Sequence, residues 1–83
     1  MAEMVGTVIC VHTTTASGFT QIMNAAGERE VFTLWSTSLP TASERVTHSM
    51  WVTLLREALI NGRQVTVFHP DDSSNVTAVQ LGG

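Results

Sequence analysis

The sequence predicts a mainly β protein, a five-stranded Greek-key barrel whose elements follow the order β-β-β-α-β-β. One observation is the apolar periodicity from Thr41 to Asn61, which is typical of an amphipathic helix. The other is that the segments before and after this helix alternate or run apolar, as strands do. A helix that joins the third strand to the fourth covers the open end of such a barrel. The 83 residues fit one domain, residues 1–83.

Three strands are predicted before the helix: from Met4 to Thr13, from Phe19 to Asn24 and from Arg29 to Trp35. Turn-forming residues separate them, and Gly27 can adopt the positive φ angle that a tight reversal requires. The first strand is apolar on both faces, so that each face needs a cover. Strict alternation places Val5, Ile9 and Val11 on one face and Met4, Val8 and Cys10 on the other.

The ends of the predicted helix are marked by local signals. The preceding loop is predicted from Ser36 to Pro40. Pro40 has no amide hydrogen to donate to a strand ladder, so the third strand must end before it. Thr41 and Glu44 have the spacing of a capping box. Asn61 followed by Gly62 is typical of a left-handed helix end.

Two faces of this helix differ in composition. One apolar stripe is expected to pack on the sheet, and it contains Trp51, Leu54, Leu55, Ala58 and Leu59, with Val52 at its edge. The second face mixes apolar, polar and charged side chains, namely Arg45, Val46, Ser49, Met50, Thr53, Arg56, Glu57 and Ile60. That second face is more apolar than a solvated helix surface needs to be.

The last two strands are predicted from Gln64 to His69 and from Asn75 to Leu81. Between them lies a polar segment that begins at Pro70 and is rich in turn-forming residues. With the three strands before the helix, they complete the five-stranded barrel.

The composition favours self-association over nucleic-acid binding. Charged residues make up 13% of the chain and apolar residues 43%, which is little charge for a small monomer. The chain contains seven acidic residues and four arginines, with no lysine, and its net charge is −3. A phosphate-binding surface normally needs a cluster of Lys and Arg.

No segment has the basic start and apolar run of a signal peptide, or the ~20 apolar residues of a membrane span. We therefore expect no membrane insertion. The protein is cytoplasmic if the chain is complete, and secreted if its numbering begins after processing.

The residue types that carry catalysis or bind metals are scattered. His12, His48 and His69 have none of the paired spacings that present two ligands to one metal. Cys10 lies in mid-strand, where a buried and inert thiol is expected, and a single cysteine cannot form an internal disulfide. We therefore predict no metal, no cofactor and no enzymatic activity.

A small polar ligand has one predicted site. Trp35 ends a strand beside a Ser/Thr loop, where an indole face can stack on a sugar ring; an edge-packed or subunit-buried tryptophan is the alternative. His69, followed by Pro70 and two aspartates, fits either a polar cluster or a solvated turn. The candidate ligand-binding residues are Trp35, Ser36, Thr37 and His69.

The run from Trp51 to Gly82, WVTLLREALINGRQVTVFHPDDSSNVTAVQLG, resembles the B subunits of bacterial AB-type toxins. The opening VGTVICVHTTTASGFTQI is also similar to their first hairpin, and the likeness is greatest to the subtilase cytotoxin and pertussis-toxin-like B subunits. The resemblance implies an OB-fold protomer in a ring, usually of five, whose helices line a central pore and whose exposed face binds glycans. This chain departs from those subunits in having one cysteine and only three residues before its predicted first strand.

A ring of this kind would turn the mixed helix face inward and cover the outer face of the first strand. The expected subunit contacts are Val5, Ile9, Val11, Arg45, Met50, Arg56 and Glu57.

Three functions remain open from the sequence. The first is a non-catalytic oligomeric binding protein, a pentameric ring in the arrangement that the resemblance implies, for a glycan or another small polar ligand. The second is a nucleic-acid-binding OB-fold domain, which needs a basic groove and aromatic platforms on strands two and three. The third is a scaffold or interaction ring without a small ligand.

Overall fold

A computed structural model describes residues 2–37 and 39–82. The protein is mainly β, with one helix that lies between the third and fourth strands. The predicted loop before the helix includes Ser38, which lies outside the described residues. The elements are β1 Ala2–Thr13, β2 Gly18–Met23, β3 Arg29–Trp35, α1 Ala42–Asn61, β4 Gln64–His69 and β5 Ala78–Leu81.

The five strands form one antiparallel sheet in the order β3-β2-β1-β4-β5. The long β1 pairs with β4 through its first half and with β2 through its second half, and Thr7 takes part in both ladders. Such a stagger is typical of a strongly sheared, curved sheet. Gly6 lies at this crossing, where a Cβ atom would overlap the carbonyl oxygen of Met23, so that the close approach of the two strands requires glycine.

The edges of the sheet are not joined into the closed barrel that was predicted. In place of a ladder between β3 and β5, one parallel bridge links Thr33 to Asn75. The Thr33 amide donates to the Ser74 carbonyl at 2.9 Å, and the Val76 amide donates to the Thr33 carbonyl at 2.8 Å. β5 begins only at Ala78, not at Asn75 as predicted, because the segment at Asn75 pairs with Thr33 of β3 instead of with β4.

The predicted strict alternation along β1 is wrong, because a β-bulge interrupts it. The ladder with β2 shifts between Val8 and Cys10, so Ile9 is the extra residue. Val8 is buried on the core side before the bulge, and Val11 packs on the core after it. Val5, Ile9 and Val11 therefore do not share one outer face.

The core fills the space between the curved sheet and α1, and its central helix residues, Leu55 and Ala58, are both 0% exposed. Leu59, predicted in the same stripe, is 41% exposed. It lies about 70° around the helix from the centre of the buried stripe, so its inclusion was wrong. The other buried apolar residues are Val8, Ile22, Phe32, Leu34, Val65, Val67 and Val76.

The predicted helix ends are confirmed. The Glu44 amide donates to the Thr41 hydroxyl at 3.2 Å, and the Thr41 amide donates to the Glu44 carboxylate at 2.9 Å, which completes the capping box. Gly62 ends the helix with a φ of 64°.

Candidate functional site

A groove of about 840 Å³ opens where the β1–β2 hairpin, the segment after β3 and the first half of α1 meet. We call it the rim groove. Residues 13–15 form its hairpin wall, and Trp35, Leu39 and Pro40 form the wall after β3. The helix wall consists of Arg45, His48, Ser49, Val52 and Thr53.

Trp35 is held at the groove by close packing on both the sheet and the helix. A Cβ atom at Gly18 would lie 2.8 Å from its six-membered ring, so only a glycine leaves room for the indole. His48 stacks on Trp35 with ring centroids 4.9 Å apart and planes 17° apart. His48 is also 5.5 Å from the Trp51 ring, at 42°. The His48 imidazole therefore covers one face of the indole, and Gly18 packs against its six-membered ring.

The hairpin wall presents a run of threonine hydroxyls. The Thr14 hydroxyl accepts hydrogen bonds from the amides of Ser17 at 2.9 Å and Ala16 at 3.2 Å, which order the turn. Within the described residues, the hydroxyls of Thr13, Thr15 and Ser49 have no hydrogen-bond partner in the protein. Each can donate and accept, so this wall can satisfy a ligand that carries hydroxyl groups.

The charge of the groove is opposite in sign to that of the whole chain. Arg45 lines it, and no Asp or Glu does. The neighbouring Glu44 is turned to the helix start, where hydrogen bonds from the Thr41 backbone and side chain hold the pKa of its carboxyl below the ordinary value. The groove therefore has a cationic side chain in a protein of net charge −3.

The predicted ligand-binding residues do not all meet at this groove. Trp35 lines it, whereas Ser36 and Thr37 are exposed in the following loop and do not. His69 pairs with Ala2, at the opposite end of β1 from Thr13.

His69 has a structural place in the turn after β4. Its Nδ1 lies 2.8 Å from the Pro70 carbonyl and 2.9 Å from the Ser73 carbonyl. Its ring packs 5.0 Å from the ring of Phe32 in the core. These contacts fit the prediction that His69 belongs to a turn. The His69 side chain does not line the rim groove.

The sequence interpretation missed most of the groove lining. Thr13 ends the predicted first strand, and Thr14 and Thr15 lie in the turn after it; three consecutive hydroxyls at a hairpin tip are the signal that indicates this wall. Arg45 was assigned to a subunit contact. His48 and Val52 come to the groove through the helix phase, which brings residues 45, 48, 49 and 52 to one side.

The outward side of α1 exposes large apolar residues. Val46 is 61% exposed, Met50 60% and Ile60 71%. Among the other predicted subunit contacts, Arg45, Arg56 and Glu57 are exposed, and the Glu57 carboxylate accepts from the Asn61 amide group at 2.9 Å. Val5 is 49% exposed on the sheet, whereas Ile9 is half-buried and Val11 is turned to the core.

Within the described part of the chain, no group of three or more His, Cys, Asp or Glu residues is placed to hold a metal ion. No helix in residues 2–37 and 39–82 has the length and apolar character needed to cross a membrane. Comparison of the chain with family models, curated proteins and solved structures finds no significant match.

Proposed function

We propose that this protein is a non-catalytic, oligomeric binding protein with a partly open OB-type barrel. Its copies form a ring, five in the arrangement that the toxin B subunits suggest, and each copy holds a glycan or another small polar ligand in the rim groove.

The barrel assignment has support at the seam between the sheet edges. The bridge at Thr33 and Asn75 is parallel and lies between β3 and the segment that leads into β5. A five-stranded Greek-key barrel of the OB type is often open at one seam. The buried Val76, adjacent to the bridge, closes the core beneath the gap.

Assembly has support in the outward side of α1. Large apolar side chains at Val46, Met50 and Ile60 are exposed on one helix. Contact of these apolar side chains with water is unfavourable, and monomers seldom carry large apolar patches. Contact with other copies of the chain would remove it from water.

The rim groove is the observation that carries the binding function. Its volume, about 840 Å³, lies within the roughly 300–1,000 Å³ range of small-molecule sites. Hydroxyls from two elements line it beside the half-buried Trp35. Apolar surface next to unpaired hydroxyls matches a saccharide, which has apolar C–H faces and many hydroxyl groups.

A glycan array and a titration with single-stranded DNA, run in parallel on the wild-type protein, test this function. We expect array binding that weakens about 2- to 10-fold in Thr13→Val, because one hydroxyl contact is lost while the side-chain shape is kept. Thr7→Val, on the same strand but outside the groove, is the matched control and should bind as the wild type does.

DNA binding without array binding would support the nucleic-acid alternative and contradict the proposal. Binding to neither ligand, in a protein that assembles, would favour a scaffold ring.

A further inference from the structure

We infer that the rim groove selects an anionic ligand, and that Arg45 binds its carboxylate or phosphate group. This inference rests on the proposed function of the groove as a ligand site and specifies the chemistry of that ligand.

The first step is the distribution of charge. The chain has seven acidic residues and four arginines. None of the seven carboxylates lines the groove, whereas Arg45 does. A second concavity, at the β2–β3 end of the sheet, is lined by Glu3, Glu28 and Glu30 together with Arg29. These two concavities thus have net charges of opposite sign, and of the two the rim groove favours an anion.

The second step is that Arg45 is available. Its guanidinium makes no hydrogen bond or ion pair within the described residues, and the side chain is exposed. The adjacent Glu44 does not neutralise it, because that carboxylate accepts from the Thr41 amide at 2.9 Å. A guanidinium offers a planar fork of donors that matches a carboxylate or a phosphate in a bidentate way.

The third step is the position of the other donors. Ser49 is one helical turn after Arg45, so both side chains lie on the same side of α1, and Thr13 and Thr15 face them across the groove. A ligand anion on Arg45 can therefore be reached by hydroxyl donors, while its uncharged part lies near Val52 and Trp35. The expected ligand is a small polar ring with one anionic substituent.

Three probes of similar size test the inference by calorimetry or by amide chemical shifts: glucuronate, glucose 6-phosphate and glucose. We expect at least one anionic sugar to bind about 10-fold or more tightly than glucose, as charge-assisted hydrogen bonds predict. The two anionic probes distinguish a carboxylate from a phosphate ligand. The preference should also decrease as salt is added.

Two variants locate the anion. Arg45→Gln should remove the preference over glucose, whereas Arg63→Gln, which makes the same change of charge outside the groove, should keep it. Melting temperatures of both variants show whether each one is folded.

Equal binding of glucose and the two anions would overturn the inference and leave the proposed binding function standing. A preference that survives in a folded Arg45→Gln protein would also overturn it, as would the absence of binding by all three probes. In the last case, glycan-array binding decides whether the proposed function fails as well.

Discussion

The two sides of helix α1 both carry apolar residues, but the fold of a single chain explains only one of these two apolar surfaces. The inward side, centred on Leu55 and Ala58, is fully buried against the chain's own sheet. The outward side exposes Val46, Met50 and Ile60 to a similar degree along the same helix. The fold of one chain therefore explains the first side and leaves the second unexplained. We propose that contact with other copies of the chain covers the outward side.

The largest expected effect is on the inward side. Leu55→Ala should lower the free energy of unfolding by about 2–5 kcal/mol, because it leaves a cavity at the centre of the core. In a domain of this size that corresponds to a melting temperature lower by about 10 °C or more. Thr53→Ala, on the outward side, should change stability by no more than about 0.5 kcal/mol. Equal shifts in thermal unfolding would mean that the two sides are not distinct.

On the outward side, a change of charge should affect assembly more than folding. If copies of α1 line a ring, Arg56 and Glu57 of neighbouring subunits lie close together and offset one another. Glu57→Arg would place arginines against each other, which costs about 4 kcal/mol per pair at ~4 Å and an effective dielectric near 20, and less when solvated. The melting of each protomer should be nearly unchanged, because Glu57 is exposed.

Light scattering at low salt measures this effect, with Glu30→Arg, the same change of charge at an exposed position of β3, as the control. A Glu57→Arg protein that keeps the wild-type mass would show that the helix does not line a closed ring.

The start of the helix could be predicted from the sequence because its contacts are local. Thr41 and Glu44 are three residues apart, and the capping box they form is the expected one. Gly62 and Gly27, both with positive φ angles, were likewise predictable from the turns they end. In each case a few neighbouring residues determine the conformation.

The bulge and the groove could not be predicted, because both depend on distant pairing. One extra residue at Ile9 moves Val11 from the outer face to the core, and no local signal marks it. The stacking of His48 on Trp35 joins residues 13 positions apart and depends on how α1 sits across the sheet. For the same reason the sequence did not indicate that Arg45 and His48 line one groove with Trp35.

A smaller effect on stability is expected from the first residues of α1, which belong to neither the inward nor the outward side of the helix. Thr41→Ala should lower the free energy of unfolding by about 1 kcal/mol, because the Glu44 amide loses its acceptor. Thr41→Ser keeps the acceptor and should restore most of the stability. Urea titrations of both variants measure the difference, and equal losses would show that the hydroxyl is not the stabilising group.

The smallest effect concerns pH. Hydrogen bonds with Thr41 lower the pKa of the Glu44 carboxyl in the folded protein. At pH values above the ordinary pKa of 4.5, the ionised carboxylate therefore stabilises the folded state. This stability is lost as pH falls through the lowered folded pKa. Gln at this position keeps a capping box without titrating. We expect the wild type to lose more melting temperature on acidification than Glu44→Gln does, and parallel losses would contradict this.

The mass of the wild-type protein in solution tests most directly whether copies of the chain cover the outward side of α1. One chain has a mass of 9.0 kDa, and size-exclusion chromatography with light scattering at micromolar concentration distinguishes it from any assembly. We expect a mass several times that of one chain, and five times in the ring arrangement. A mass of one chain at that concentration would contradict the account, because the exposed Val46, Met50 and Ile60 would then remain in water.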